Sequence, residues 1–210
     1  MRVFLVLIMG VAMMTVTQAA AAERIEMQLS TGGPVVIELK PDFAPLHVAQ
    51  IKTLTERGFY DGLKFHRVIE GFMAQTGDPL GTGAGGSDMG DIAAEFSDYP
   101  YRRGTVGAAR TADPDSANSQ FFICFTDAGC GFLTGQYTVW GQVVEGMEHV
   151  DAVARGEPPA EPSTIVSMRV VQDAPPEPAA AAVPVTEVPP PAAANEKAKD
   201  AVAPTDEKAE

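Results

Sequence analysis

Between residues 23 and 172 the chain is a succession of eight short strand-like runs separated by glycine-rich connections, with one long helical pattern among them. That spacing narrows the fold more than any single motif. The first two runs, in "RIEMQLSTGGPVVIELK", read as a β-hairpin whose glycine pair supplies positive φ at the turn. Six more follow: "KFHRVI", "FMAQTG", "GTVGAAR", "SQFFICF", "YTVWGQVV" and "TIVSMRVV". By contrast, "APLHVAQIKTLTERGFY" keeps a helical period. Pro45 suits its first turn, Val48, Ile51, Leu54 and Thr55 share one face, and Gly58 ends it. A shorter helical stretch is expected near "GMEHVDAVAR". Many short strands and few helices predict a mainly β domain, an antiparallel sandwich or barrel.

The two ends of the chain are of different composition. Residues 1–22, "MRVFLVLIMGVAMMTVTQAAAA", run from one arginine through an apolar stretch to small residues, the order of a secretory signal peptide with cleavage expected near Ala20 or Ala22. The run is short for a membrane span; an uncleaved anchor is the alternative, and no membrane insertion is expected once it is removed. Residues 173–210 contain no aromatic side chain and consist largely of Ala, Pro and charged residues. Such a segment cannot bury enough apolar surface to offset its ordering entropy, so a disordered, partly polyproline-II tail is expected. A single folded domain is left at residues 23–172.

The whole chain carries a formal charge of -13; setting aside Arg2 and the tail, with its eight acids and three lysines, leaves -9 on the domain. An acidic domain without a basic run argues against nucleic acid and anionic membrane as partners. The only cysteines are Cys124 and Cys130. Export would permit them to pair. Because Cys124 lies within the apolar run "SQFFICF", the reading favoured here is a buried free thiol acting as a small hydrophobe.

Several familiar motifs fail on context. "GTGAGG" satisfies G-x-G-x-x-G, yet "DMGDIAAEF" follows it where a long helix is required, so it reads as a loop. "DPDSAN" resembles the start of an EF-hand, but Asn118 stands where glycine is needed and Cys124 where glutamate is needed. His47, His66 and His149 are too scattered for a metal signature, and no serine sits in G-x-S-x-G, so neither metal nor hydrolytic chemistry has support.

Three runs in register carry more: "FHRVIEGFMAQTGD", "GTVGAARTADPDSANSQFFI" and "FLTGQYTVWGQVVEGM". Over residues 24–171 the chain resembles the cyclophilin family of peptidyl-prolyl cis-trans isomerases, in particular its short bacterial secreted members. That resemblance implies a closed eight-stranded antiparallel β-barrel capped by two helices, with the site on its outer surface. It implies a catalytic role for Arg67, a proline-ring pocket of Phe72, Met73, Phe122 and Leu133, and an orienting role for Gln75. Ala109 and Gln120 correspond to groove positions that meet the substrate backbone, with Phe132 and Tyr137 as further substrate contacts. His66 is expected to be structural support.

This sequence also departs from the family. Tyr137 replaces the usual histidine, Phe132 the tryptophan of strongly cyclosporin-binding members, and Glu70 the proline of "IPGF". A polar aromatic wall, weaker drug binding and an altered surface charge are the respective expectations.

The implied chemistry suits the residues. Rotation about an X-Pro bond is slow because amide resonance must be broken, a barrier of about 18–20 kcal/mol, and it makes and breaks no covalent bond. A catalyst therefore requires no nucleophile, metal or cofactor, only a pocket for the ring and a fixed donor such as an arginine fork. The function expected is isomerisation of X-Pro bonds in proline-containing polypeptides, assisting the folding of exported proteins in the periplasm, by a monomer. A peptide-binding chaperone using the same groove without turnover, and a structural envelope protein, are the competing classes. Intact-mass analysis of the exported protein should find a mature N-terminus near Ala21 or Glu23; a secreted pool that retains Met1 would remove the leader reading.

Overall fold

A computed structural model describes residues 23–172, and all eight strand-like runs form strands in it. They are β1 (Glu23–Leu29), β2 (Gly32–Leu39), β3 (Arg67–Ile69), β4 (Met73–Thr76), β5 (Thr105–Ala108), β6 (Phe121–Cys124), β7 (Val139–Glu145) and β8 (Ile165–Gln172). The helices are α1 (Pro45–Glu56), α2 (Asp127–Cys130) and α3 (Met147–Asp151), with a 3-10 turn at Gly131–Leu133. The leader and tail lie outside the described residues. Among the described residues, no helix is long and apolar enough to cross a membrane.

The strands form one antiparallel sheet in the order β3-β4-β6-β5-β7-β2-β1-β8. The expectation of a closed barrel needs correction: the sheet curls into a half-barrel, with no ladder between β3 and β8. Each terminal strand meets something else. Val68 of β3 exchanges backbone hydrogen bonds with Gly156, at 2.8 and 2.9 Å. The start of β8 is met by the turn before β3, through Ile165 N to Leu63 O (2.8 Å) and an isolated bridge between Lys64 and Thr164. With β3 only three residues long and its outer edge occupied by the Gly156 loop, no edge remains for β8. The helical caps also differ from the expected two, since α2 and α3 are single turns beside the longer α1.

The first hairpin turns one step earlier than its glycines suggest. Ser30 and Thr31 form the turn, while Gly32 opens β2 at φ +124°, where a side-chain carbon would meet the His149 ring at 2.6 Å. Along the strands, residues alternate between faces. The inner face gathers Ile25, Met27, Val35, Ile37, Val68, Ala74, Val106, Phe121, Ile123, Trp140 and Met168 into one core, and α1 closes it with Val48, Ile51 and Leu54. These helical residues are the ones its periodicity places on one face, and Thr55 is buried with them.

Helix α1 begins without a local cap, because Ala44 has no side-chain acceptor. Glu95 serves instead from 48 residues away: its carboxylate accepts from the Leu46 and His47 amides, each at 3.0 Å, and lies 2.6 Å from His47 Nδ1. A carboxylate there also complements the positive helix end. Burial pushes the Glu95 carboxyl upward, but these donors together hold it below its ordinary value, while desolvation lowers the His47 pKa. Both signs point the same way. The unfolded chain takes up a proton on His47 as pH falls through its ordinary value, and on Glu95 lower still, before the folded protein does. Stability should therefore fall on acidification from pH 7 to pH 4, and in thermal melts Glu95→Gln should remove the carboxylate's share of that fall, at the acid end, while the share due to His47 persists.

Cys124 and Cys130 are joined in a disulfide, Cα–Cα 6.1 Å, which overturns the free-thiol reading. The burial expected of Cys124 is present, and both residues are fully buried. What sequence spacing concealed is the turn between them. Thr126 Oγ1 accepts from Gly129 N (3.0 Å), capping α2 and bringing Cys130 back beside the end of β6. Closing so short a loop is worth about 2 kcal/mol by chain entropy. Cys124→Ala with Cys130→Ala should lower Tm by about 4–10 °C, and an unchanged melt would show the bond to be dispensable.

Candidate active site

The outer face of β3, β4, β6 and β5 carries a second apolar group, separate from the core. Arg67 stands opposite Gln75, Gln75 opposite Phe122, and Phe122 opposite Gly107, a row of four across four strands. Directly opposed residues share a face, so the row is fixed by register alone. Met73, Phe122, Cys124, Cys130, Leu133, Val139 and Tyr101 are buried on this face, with Phe72, Ala109 and Tyr137 packed against them.

Gly107 makes the row possible. A side-chain carbon there would meet Tyr101 Oη at 2.2 Å and Phe122 Cζ at 2.6 Å. Without it, Phe122 lies flat across the strand, stacked on Tyr101 (centroids 5.8 Å) and edge-on to Tyr137 (6.0 Å). Tyr101 is anchored through its hydroxyl, which donates to Thr138 O at 3.1 Å.

These side chains enclose a cavity of about 110 Å³ lined by Arg67, Phe72, Met73, Gln75, Ala109, Arg110, Phe122, Leu133 and Tyr137. That is well under the ~300 Å³ at which sites for drug-sized ligands begin, and it suits one small apolar ring. The disulfide lies behind it, joining the strand that carries Phe122 to the turn that carries Leu133. The Phe72 wall is held from the same side, by Phe125 N to Phe72 O (2.8 Å) and Thr126 Oγ1 to Gly71 O (2.7 Å).

Arg67 occupies the polar rim. Its Nε donates to Glu157 Oε2 at 2.8 Å and its Nη1 to Gln75 Oε1 at 3.4 Å. Gln75 Nε2 in turn donates to Gln120 Oε1 (2.9 Å), whose own amide donates to the carbonyls of Gly83 (3.0 Å) and Gly85 (2.8 Å). The glycine-rich loop that failed as a nucleotide motif is thus the far anchor of this chain of amides. It is held by buried Asp78, which accepts from Leu80, Thr82 and Gly83 amides at 2.6–2.8 Å. Burial pushes that carboxyl upward, but the backbone donors hold it below the ordinary value.

The sequence-predicted residues divide as follows. Arg67, Phe72, Met73, Gln75, Ala109, Phe122, Leu133 and Tyr137 all line the small cavity. Gln120 lies instead in an adjoining cavity of about 280 Å³ with Asp91, Asn118 and the 83–86 loop. Phe132 is 64 % exposed and does not line the pocket, although its ring is 5.7 Å from that of Phe72. His66 is buried beside Gly83 with neither ring nitrogen hydrogen-bonded, and desolvation lowers its pKa.

Two residues escaped the sequence reading. Arg110 borders both cavities, its guanidinium 4.3 Å from the Tyr137 centroid and donating to Thr111 O (2.8 Å) and Gln136 O (3.0 Å). Its place directly after Ala109 in "GAAR" was the available signal. Glu157 had none, being 90 residues from the arginine it meets. Glu70, expected only to alter surface charge, pairs with Arg155 at 2.6 Å. Among the described residues no cluster of three His, Cys, Asp or Glu could hold a metal ion.

Comparison with known proteins agrees with this geometry. The family model described as cyclophilin type peptidyl-prolyl cis-trans isomerase/CLD matches residues 24–170. A probable peptidyl-prolyl cis-trans isomerase of Brucella suis is 50 % identical over 156 residues, covering 69 % of this chain and 78 % of that protein. Peptidyl-prolyl cis-trans isomerase B of Bacillus subtilis is 38 % identical over 130 residues, covering 61 % and 89 %. Among solved structures, a cyclophilin from Hirschia baltica superposes with a TM-score of 0.63 at 31 % identity, over 69 % of this chain and 72 % of that one. A cyclophilin type isomerase of Cryptosporidium parvum, crystallised in the presence of the dipeptide Ala-Pro, gives 0.64 at 26 % identity, over 70 % and 98 %. The matched residues are the ones that build the sheet and the pocket on its outer face, and by them this chain belongs to the cyclophilin-type peptidyl-prolyl cis-trans isomerases, enzymes that need no cofactor.

Proposed function

We propose that Arg67 is the catalytic residue, acting on an X-Pro bond whose ring occupies the cavity of Phe72, Met73, Phe122 and Leu133. The observation that carries this reading is a permanently cationic fork on the rim of an apolar pocket sized for a single ring. As the amide twists, conjugation is lost and electron density returns to the proline nitrogen. A donor fixed beside that nitrogen is stronger in the twisted state than in the planar one, which is the condition for acceleration. With Nε on Glu157 and Nη1 on Gln75, the Nη2 end of the fork is left for this task among the described residues. The pocket holds the ring still while the preceding carbonyl swings, and Ala109 and Gln120 present the groove beside it.

The substrates are proline-containing polypeptides, in keeping with the Cryptosporidium relative crystallised in the presence of Ala-Pro. In this reading the enzyme acts as a monomer. Clients in the periplasm, met during folding after export, follow from the leader-like composition of residues 1–22. Phe132 brings no indole N–H to the rim, so weak inhibition by cyclosporin belongs to the same reading.

Arg67→Ala should lower kcat/KM by about 10²–10³, by analogy with the removal of a single oxyanion donor, while leaving fold and peptide binding largely intact. Phe122→Ala should weaken binding and turnover together and destabilise the domain by about 3–5 kcal/mol, since Phe122 is buried. Protease-coupled or exchange-NMR assays on a short proline peptide distinguish the two. Wild-type turnover by Arg67→Ala would end the catalytic assignment, and a wild-type protein that bound such peptides without accelerating exchange would favour a chaperone.

A further inference from the structure

The outer edge of β3 is filled by residues 155–157. Val68 and Gly156 exchange both of their backbone hydrogen bonds, so they form an antiparallel pair that sets Glu157 opposite Arg67. In that register the Glu157 carboxylate accepts the Arg67 Nε–H at 2.8 Å. The segment is fastened on its other side as well. Arg155 donates to Glu70 Oε2 at 2.6 Å, lies 4.3 Å from the Phe125 ring centroid, and reaches the carbonyls of Asp151 and Val153. Glu157 therefore projects from backbone that is tied down at two neighbouring residues.

We propose that Glu157 is a positioning residue for isomerisation, fixing the rotation of the Arg67 guanidinium. This rests on the catalytic reading of Arg67 given above. An arginine side chain has many rotamers, and the Gln75 contact, at 3.4 Å, is too long to choose among them alone. Accepting at Nε locks the plane of the fork, because the three nitrogens are coplanar. Nη1 then rests toward Gln75. The two side chains are 42 % and 52 % exposed, so their pairing adds little to stability. Its effect lies in orientation completed before the substrate arrives, which removes that ordering from the barrier.

The separating experiment is a double-mutant cycle on the full chain with a short proline peptide. Glu157→Ala should reduce kcat by roughly 2–10-fold, with KM changed by less than about 2-fold and Tm unchanged. Glu157→Gln, whose amide oxygen can still accept the Nε–H, should recover most of that loss, which separates orientation from charge. In an Arg67→Ala background, Glu157→Ala should cause no further loss. The Arg67 Nε–H resonance, measured without substrate, should be sharp in the wild type and the Gln variant and exchange-broadened in the Ala variant. Wild-type kcat in Glu157→Ala, a change confined to KM, or an equal loss in both backgrounds would overturn the proposal while leaving Arg67 in place. Full activity of Arg67→Ala would overturn the catalytic reading itself.

Discussion

Burial of β6 on both faces is the constraint on which the rest of the structure depends. Phe121 and Ile123 point into the half-barrel, where Phe121 packs edge-on against Trp140 and Tyr60. Phe122 and Cys124 point outward, into the second apolar group. Because successive side chains on a strand alternate, core and pocket are two faces of the same four residues. A register slip of one residue would exchange them, placing Ile123 in the pocket and Phe122 in the core. An outer apolar face of this size must be covered, and α2, the 3-10 turn and the disulfide do so while leaving a gap for a ring.

The polar half of the site is built by a different means. Arg67, Gln75 and Gln120 are connected in a line that ends on the carbonyls of Gly83 and Gly85, and Asp78 fixes the loop that presents those carbonyls. Each amide in the line uses one end to accept and the other to donate, so its orientation is set by its neighbour. A buried carboxylate satisfied by several backbone amides is a stable anchor for an irregular loop, since the alternative is an unpaired charge out of water. The fork of Arg67 is thus approached by a held glutamine on one side and a held glutamate on the other. Rotation about an amide requires no proton transfer, and burial lowers the pKa of His66 beside Arg67.

The sequence by itself determined the elements. All eight strands and the α1 face were legible because both rest on local periodicity, and glycine marked where β3, β4 and β7 stopped. Most of the pocket was legible too, through the family resemblance, because its residues lie within three continuous runs. The tertiary structure decided what depends on contacts between distant segments. Incomplete closure follows from Gly156 taking the edge of β3, and no local signal predicts which segment reaches an edge first. The disulfide follows from a single helical turn that reverses the chain; buried cysteine looks the same in sequence whether or not a second sulfur is at hand. Phe132 shares its turn with Leu133, yet only the geometry of that turn sends one outward and the other into the pocket. Glu95 caps a helix 48 residues away, and Glu157 meets an arginine 90 residues away. A sequence pattern records which face a side chain occupies, whereas its partner across space is fixed only when the whole sheet has curled.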